Sequence, residues 1–298
     1  MRFCVLSRYQ VFQKLRTQSI SIGSLHHFGL SSTPPRLRVS AVKFSGFSPC
    51  LRASVVGFVS YNPSMSIADN VTAIRERIAR AAARVGRHPG SITLMAVSKT
   101  VEPERIKEVY AAGLRVFGEN RVQEFEGKSA ALSDLTSAEW HLIGHLQSNK
   151  AKKAAELFHA VDSVDSLRLA EKLNQSAAEA GKKLDVLIEI KVGQEASKAG
   201  IALDSPELES LLRAAPQLTN LQIRGLMTVP PFTEDPEGAR PYFRLLRDLR
   251  DQIAARNLPG IAMDVLSMGM SHDFEVAIEE GSTCVRVGTA IFGARSKP

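Results

Sequence analysis

The sequence LDVLIEIKV at residues 184–192 is followed by a helical pattern over 204–214 and by a second apolar stretch, QIRGLMTV, at 222–229. Each apolar stretch has the length of a β-strand and is rich in Val, Ile and Leu, which is typical of a strand buried on both faces of a sheet. Two such strands joined by a helix form a parallel β-α-β unit. This unit predicts an α/β fold in which helices cover a parallel sheet.

The same alternation extends in both directions from this unit. Strands are predicted at 92–98, 114–117, 140–144, 159–161, 184–192, 222–229, 263–266 and 283–287, with helices near 102–112, 120–133, 148–157, 165–180, 204–214, 237–256 and 272–280. Eight repeats match a closed barrel of about 250 residues, so we expect a single (β/α)8 TIM-type barrel. A doubly wound open sheet is the alternative, but the sequence contains neither the Gly-rich dinucleotide turn nor the P-loop expected of such a sheet.

The first 64 residues differ in composition from the rest of the chain. They hold eight Lys or Arg, 12 Ser and neither Asp nor Glu, which is typical of a mitochondrial or plastid transit peptide. The alternative is an upstream extension joined to a start at Met65, because Ser66 and Asp69 form a helix-capping signature immediately afterwards. In either case we expect 1–64 to be an unstructured N-terminal extension and 65–298 to form the barrel.

Charge and cysteine content exclude several classes of function. The formal charge is +7, but without the leader 30 basic residues face 31 acidic ones, so we expect no nucleic acid partner. Cys284 is the only cysteine of the barrel region, which excludes a disulfide framework or a CxxC metal site there. No stretch approaches the roughly 18 consecutive apolar residues of a membrane span. We expect a cytoplasmic protein, or a mitochondrial or plastid one if the leader is a transit peptide.

The functional site of a barrel lies at the carboxyl ends of its strands. The first strand ends in AVSKT, where Lys99 is either a solvated side chain or, over the barrel mouth, a nucleophile toward a carbonyl. The third strand contains His141 and His145. Residues four apart in an extended strand lie about 13 Å from each other, so we expect no metal ion shared between them.

The loops after the last two strands contain the residue types of a phosphate site. Ser271, Gly288 and Thr289 offer hydroxyl and backbone N–H groups where barrels commonly bind phosphate, although helix capping by Ser271 and simple turns at the glycines are the alternative. Arg286 lies within an apolar strand and needs either a carboxylate or a ligand acceptor as its partner. A lysine, a phosphate site and an arginine at one mouth fit pyridoxal 5′-phosphate (PLP), which has an aldehyde, a phosphate arm and a ring nitrogen.

Six motifs together resemble a known family. They are AVSKT at 96–100, FGENRVQE at 117–124, WHLIGHLQSNK at 140–150, RGLMT at 224–228, LSMGMS at 266–271 and VRVGTAIFG at 285–293. In this order they strongly resemble the pyridoxal phosphate homeostasis protein family, the barrel relatives of the alanine racemase N-terminal domain. The resemblance covers Met65 to about residue 295, and the leader has no counterpart in the usual short form of the family.

The resemblance implies a role for six residues in binding the cofactor: Lys99 as the Schiff-base lysine, Arg286 as the partner of the pyridine nitrogen, Asn120 as a residue lining the cofactor, and Ser271, Gly288 and Thr289 as phosphate-binding positions. It further implies a monomer that carries or regulates the PLP pool and the balance of amino and keto acids. Apo PLP-dependent enzymes are the candidate partners.

An amino-acid racemase of the alanine racemase kind is the alternative function. It needs two acid/base groups on opposite faces of the substrate carbanion, and by resemblance one of them comes from a separate C-terminal β domain. This chain stops at Pro298, just after the eighth predicted strand. An arginine at the ring nitrogen would also leave that nitrogen unprotonated and weaken the electron sink. We therefore expect a PLP-binding protein without enzymatic turnover.

Overall fold

The computed structural model describes residues 66–193 and 199–293, so the predicted leader lies outside the described residues. The strands are β1 (Thr93–Val97), β2 (Val116–Glu119), β3 (Glu139–Leu142), β4 (Ala160–Val164), β5 (Leu184–Lys191), β6 (Ile201–Ala202), β7 (Leu221–Met227), β8 (Ile261–Met270) and β9 (Cys284–Val287). The helices are α1 (Ile67–Arg84), α2 (Pro103–Ala111), α3 (Val122–Ser129), α4 (Ala151–Leu157), α5 (Leu167–Glu179), α6 (Pro206–Ala214), α7 (Arg240–Ala254), α8 (Phe274–Glu279) and α9 (Thr289–Phe292). Within these two ranges no helix combines the length and the hydropathy needed to cross a bilayer.

Eight of the strands close into a parallel barrel. The order around the ring is β1, β2, β3, β4, β5, β7, β8 and β9, and β9 pairs with β1 to complete it. The pairing of β4 with β5, where Ala160 lies opposite Asp185, keeps the ring closed on the other side. The two-residue strand β6 adds to the end of β5 outside the ring. The predicted (β/α)8 barrel is therefore confirmed, and the open doubly wound sheet is wrong.

The first helix begins at the predicted capping signature. The backbone N–H of Asp69 donates to Ser66 Oγ at 3.2 Å, and the backbone N–H of Ser66 donates to the Asp69 carboxylate at 3.2 Å. These two bonds form a complete capping box, which satisfies N–H groups that have no partner inside the helix. Gly86 lies just beyond the end of α1 with φ of 68°, a left-handed conformation that glycine adopts without strain.

Aromatic side chains fill part of the space between the barrel and its helices. Phe117 and Trp140, on adjacent strands, stack with ring centroids 4.8 Å apart, and Phe125 of α3 packs 4.6 Å from Trp140 and 5.0 Å from Phe158. Such aromatic pairs contribute about 0.5–1.5 kcal/mol each beyond the burial of their area. They hold α3 against Trp140 of β3, which in turn stacks on Phe117 of β2.

Several boundaries differ from the prediction, and two of the differences lie near the candidate site. Strand β8 runs on to Met270 rather than ending at 266, because Ser267 and Met270 continue the pairing with β9 across a bulge. The segment predicted as a loop is thus largely strand. Helix α9 was not predicted, because four residues are too short to show a helical period in the sequence.

Candidate functional site

Lys99 lies two residues beyond the end of β1, half-buried at the carboxyl-end mouth of the barrel. The next residue, Thr100, has φ of 58°, which is an uncommon conformation for a β-branched residue. Its backbone N–H donates to the carboxylate of Glu124. The chain therefore turns sharply just after Lys99, and side chains of α3 hold this turn in place.

Arg286 on β9 is almost completely buried, with 3% of its surface exposed. Its Nη1 donates to Ser267 Oγ and its Nη2 donates to the backbone oxygen of Thr228, both at 2.7 Å. Burial lowers the pKa of Arg286 from its ordinary value, and the most important opposing influence is Cys284, followed by Asp162. Both described hydrogen-bond partners of its guanidinium are thus neutral oxygens and not carboxylates. Neutral oxygens from β8 and from the residue after β7 orient this arginine, which leaves further N–H groups for a ligand.

The loops after β8 and β9 meet at Ser271. The backbone N–H of Ala290, in the short helix α9 that follows β9, donates to Ser271 Oγ at 3.4 Å, a long bond that connects the segments after the two strands. Ser271 does not cap the helix that follows it, because the N-cap position of α8 is Asp273. Gly288 lies beside the first strand, since a Cβ at this glycine would be 3.4 Å from Val97 Cβ. The predicted phosphate loops are therefore next to the strand that leads to Lys99.

Asn120 directly follows β2 and is half-buried at the same mouth. Its backbone lies so close to Gly144 that a Cβ there would be 2.3 Å from the Asn120 oxygen. A glycine is needed at position 144 to let the loops after β2 and β3 approach each other.

The strand order gathers all six predicted residues on one side of the mouth. They follow or belong to β2, β1, β9 and β8, which are consecutive neighbours in the ring. Two of the four strands are at the beginning of the barrel sequence and two are at its end. We call this side of the mouth the β2-β1-β9-β8 arc.

An acidic group that the sequence motifs do not single out lies on another part of the same mouth. Glu189 on β5 is 8% exposed, and its Oε2 has no hydrogen-bond partner among the described residues. Burial raises the pKa of Glu189 to about 7, and the neighbouring Asp165 adds to this effect. Asp165 also lies 2.9 Å from His145 Nδ1. Glu189 stands between two isoleucines, so the signal that identified Arg286, a charge within an apolar strand, could have found it as well.

A cavity of about 360 Å³ opens at the opposite, amino-terminal end of the barrel. Charged side chains pair across it, with an excess of carboxylates: Arg224 pairs with Asp185 at 3.0 Å and with Asp264 at 2.5 Å, and His141 Nδ1 lies 3.1 Å from Asp162. Burial is the largest single influence and lowers the pKa of His141, but the charge and hydrogen bond of Asp162, together with the charges of Glu139 and Asp185, outweigh it, so the net shift of the pKa is upward. The two predicted histidines thus belong to separate pairs. This end of a barrel commonly serves stability.

Comparisons with known proteins identify close relatives. The family described as "Alanine racemase, N-terminal domain" matches residues 70–296. The pyridoxal phosphate homeostasis protein of Aquifex aeolicus is 46% identical over 231 residues, which cover 78% of this chain and 99% of that protein. A protein of the same name from Pseudomonas aeruginosa is 44% identical over 230 residues, which cover 77% of this chain and 96% of that protein.

Solved structures agree with this relationship. PipY of Synechococcus elongatus, solved with PLP bound, is 39% identical and matches with a TM-score of 0.67 over 76% of this chain and 100% of PipY. The alanine racemase of Corynebacterium glutamicum is 18% identical, with a TM-score of 0.58 over 76% of this chain and 62% of the racemase. At that identity the likeness to the racemase concerns the fold alone.

Proposed function

The chain belongs to the pyridoxal phosphate homeostasis protein family, and on that premise we propose that it binds PLP and carries or regulates the intracellular pool of this cofactor. One observation carries the proposal. The β2-β1-β9-β8 arc gathers a lysine, a buried arginine and two loops rich in small residues at one mouth of the barrel. The PLP bound to the related PipY supports the same function.

The groups of the arc fit those of the cofactor one by one. When bound, PLP supplies an aldehyde that condenses with a primary amine. We assign this amine to Lys99, whose Nζ would hold PLP as a Schiff base, with the aldehyde oxygen leaving as water. The N–H groups of Arg286 that its two neutral acceptors leave unused would be available to the ring nitrogen.

The phosphate and the ring are assigned to the remaining positions. We assign phosphate binding to the Ser271 hydroxyl and to the backbone N–H groups of Gly288 and Thr289, since loop amides and hydroxyls are suited to an anion. We assign the lining of the cofactor to Asn120. The contact of Ser271 with the β9 loop supports this assignment, because it brings the two sets of donors together.

Trapping with borohydride tests the role of Lys99. The purified protein with PLP should show a yellow absorption band and, after reduction, a cofactor adduct on Lys99 in peptide mass spectra. The variant Lys99→Ala should lose both signals. Lys191→Ala, which changes a lysine at the end of β5, is the matched control and should keep both. An adduct mapped to Lys150 or Lys191 would contradict the assignment.

We further propose that the protein does not turn over amino acids at enzymatic rates. A guanidinium at the ring nitrogen keeps that nitrogen unprotonated and weakens the electron sink that racemases use. The relatives named above carry the name of homeostasis proteins. Glu189 favours the racemase alternative, because a carboxyl group with a pKa of about 7 at the same mouth is suited to acid/base chemistry.

Exchange of the α-proton of L-alanine in D2O decides between the two functions. With the PLP-bound protein, the α-proton of L-alanine should exchange slowly. Lys99→Ala serves as the blank, and Glu189→Gln removes the candidate acid/base group. Steady exchange at about 1 per second or faster that depends on both residues would support the racemase.

A further inference from the structure

A buried ion pair lies behind the turn that carries Lys99. Nζ of Lys128 on α3 lies 2.8 Å from Glu119 Oε1 at the end of β2. Glu119 is completely buried and Lys128 is 8% exposed. Burial raises the pKa of Glu119, and the charge of Lys128 opposes this shift. Two charges removed from water in this way contribute little net stability unless further hydrogen bonds compensate them.

Those further bonds go to the residue before Lys99. Nζ of Lys128 donates to the backbone oxygen of Ser98 at 2.9 Å, and Ser98 Oγ donates to Glu119 Oε1 at 2.5 Å. The backbone N–H of Ser98 also continues the strand ladder by donating to Gly118 at 2.9 Å. The hydroxyl, the backbone N–H and the backbone oxygen of Ser98 are therefore all hydrogen-bonded.

The same cluster holds the residue after Lys99. The N–H of Thr100, which has the left-handed conformation described above, donates to the carboxylate of Glu124. That carboxylate lies 3.4 Å from Nζ of Lys128, so the cation serves both sides of the turn. One set of charged side chains thus holds the residue before Lys99 and the residue after it, and so fixes the backbone of Lys99.

We propose that Glu119, Glu124 and Lys128 are positioning residues for Lys99, which hold its turn in the conformation that presents the amine to the aldehyde of the cofactor. They act through the backbone next to Lys99. An amine on a preformed turn loses less conformational entropy on bond formation than one on a loop that must first become ordered. The proposal rests on the proposed Schiff base at Lys99, and it assigns a role to acidic residues of the FGENRVQE motif that the cofactor contacts leave unexplained.

Glu124 offers the cleanest test, because its side chain is 28% exposed and its loss leaves the buried ion pair intact. Glu124→Ala removes the acceptor of the Thr100 N–H, whereas Glu124→Gln keeps an acceptor oxygen. Glu126→Ala is the matched control, since Glu126 lies on the same helix and its carboxylate pairs with Lys153 at 3.0 Å. Ser98→Ala is a second, independent variant that removes only the hydroxyl bond to Glu119.

Two measurements report on the position of Lys99. In PLP titrations followed by visible absorbance, Glu124→Ala should raise Kd about tenfold, the effect of losing one charge-assisted hydrogen bond. Glu124→Gln should recover most of the affinity, and Glu126→Ala should match the wild type. In the apo-protein, reductive ¹³C-methylation labels the lysines, and the Lys99 resonance is identified because it is absent in Lys99→Ala. In Glu124→Ala this resonance should shift toward the chemical shifts of the exposed lysines. In Glu126→Ala it should stay at its wild-type position.

The outcomes separate this proposal from the proposed function. If the wild type forms no adduct on Lys99, the proposed Schiff base is wrong, and the apo-protein resonance still tests the positioning. If the wild type forms the adduct but Glu124→Ala and Ser98→Ala keep the wild-type Kd and resonance, the positioning proposal is overturned. Should Glu124→Ala fail to fold by circular dichroism, Ser98→Ala replaces it in the comparison: a raised Kd with a shifted Lys99 resonance supports the proposal, and wild-type values overturn it.

Discussion

Replacement of Ser267 by alanine should destabilise the barrel although it removes a single oxygen atom. Ser267 is completely buried, and its Oγ is one of the two hydrogen-bond acceptors of the Arg286 guanidinium, at 2.7 Å. Without it, Nη1 of a buried cation loses its acceptor. A hydrogen bond to a charged group contributes about 1.5–3 kcal/mol, so the free energy of unfolding of the apo-protein should fall by this amount. For a domain of this size, that corresponds to a decrease of about 3–12 °C in Tm.

Ser282 provides the matched control for this prediction. It is also completely buried, but its Oγ contacts three neutral backbone oxygens, those of Leu266, Met268 and Cys284, at 3.3, 2.8 and 3.0 Å. Ser282→Ala should therefore cost about 0.5–1.5 kcal/mol, the range for neutral hydrogen bonds. Urea unfolding followed by the fluorescence of Trp140, the single tryptophan of the chain, gives both values.

The comparison refutes the reasoning if Ser267→Ala loses no more stability than Ser282→Ala. That result would mean that the bond from Arg286 to Ser267 does not stabilise the buried charge. The argument that neutral oxygens hold the guanidinium ready for a ring nitrogen would then fail as well.

Three further predictions concern the phosphate loop, the leader and the opposite end of the barrel. Ser271→Ala should weaken PLP binding by about 1–3 kcal/mol in a titration. The Tm of the apo-protein should stay nearly unchanged, since this serine does not cap α8. A lower Tm of the apo-protein with unchanged PLP affinity would contradict this prediction. A chain that begins at Met65 should be soluble and bind PLP with unchanged Kd, and aggregation would show that the leader packs on the barrel. Because the pKa of His141 is raised in the fold, its pair with Asp162 stabilises the protein below the unfolded pKa of about 6.5, and this contribution is lost as the pH rises through the folded pKa. The stability difference between wild type and Asp162→Asn in urea unfolding should thus be larger at about pH 5.5 than at about pH 8.5, and an equal difference at both would contradict this.

Strand β4 shows where periodicity in the sequence stops being informative. The apolar pattern predicts it at 159–161, whereas the strand is Ala160–Val164 and includes Asp162 and Ser163, both buried. A barrel accepts polar groups in its interior when partners are present, as His141 is for Asp162. The sequence around residue 162 cannot reveal that partner, because it lies on a neighbouring strand 21 residues away.

By itself, the sequence determined the number and order of the barrel strands, the start of α1 and the inward charge at Arg286, since each follows from local periodicity or from a local capping signal. The motifs also identified which residues to examine at the strand ends. Only the tertiary structure decided that Gly288 lies beside Val97, that Ser271 contacts the loop after β9, and that the turn at Lys99 is held from α3. These contacts join residues from 19 to about 190 positions apart in the chain. They exist because β9 pairs with β1 to close the ring, and because α3 contacts both the residue after β1 and the end of β2. The local sequence contains no signal for such closure, which depends on the packing of all eight strands together.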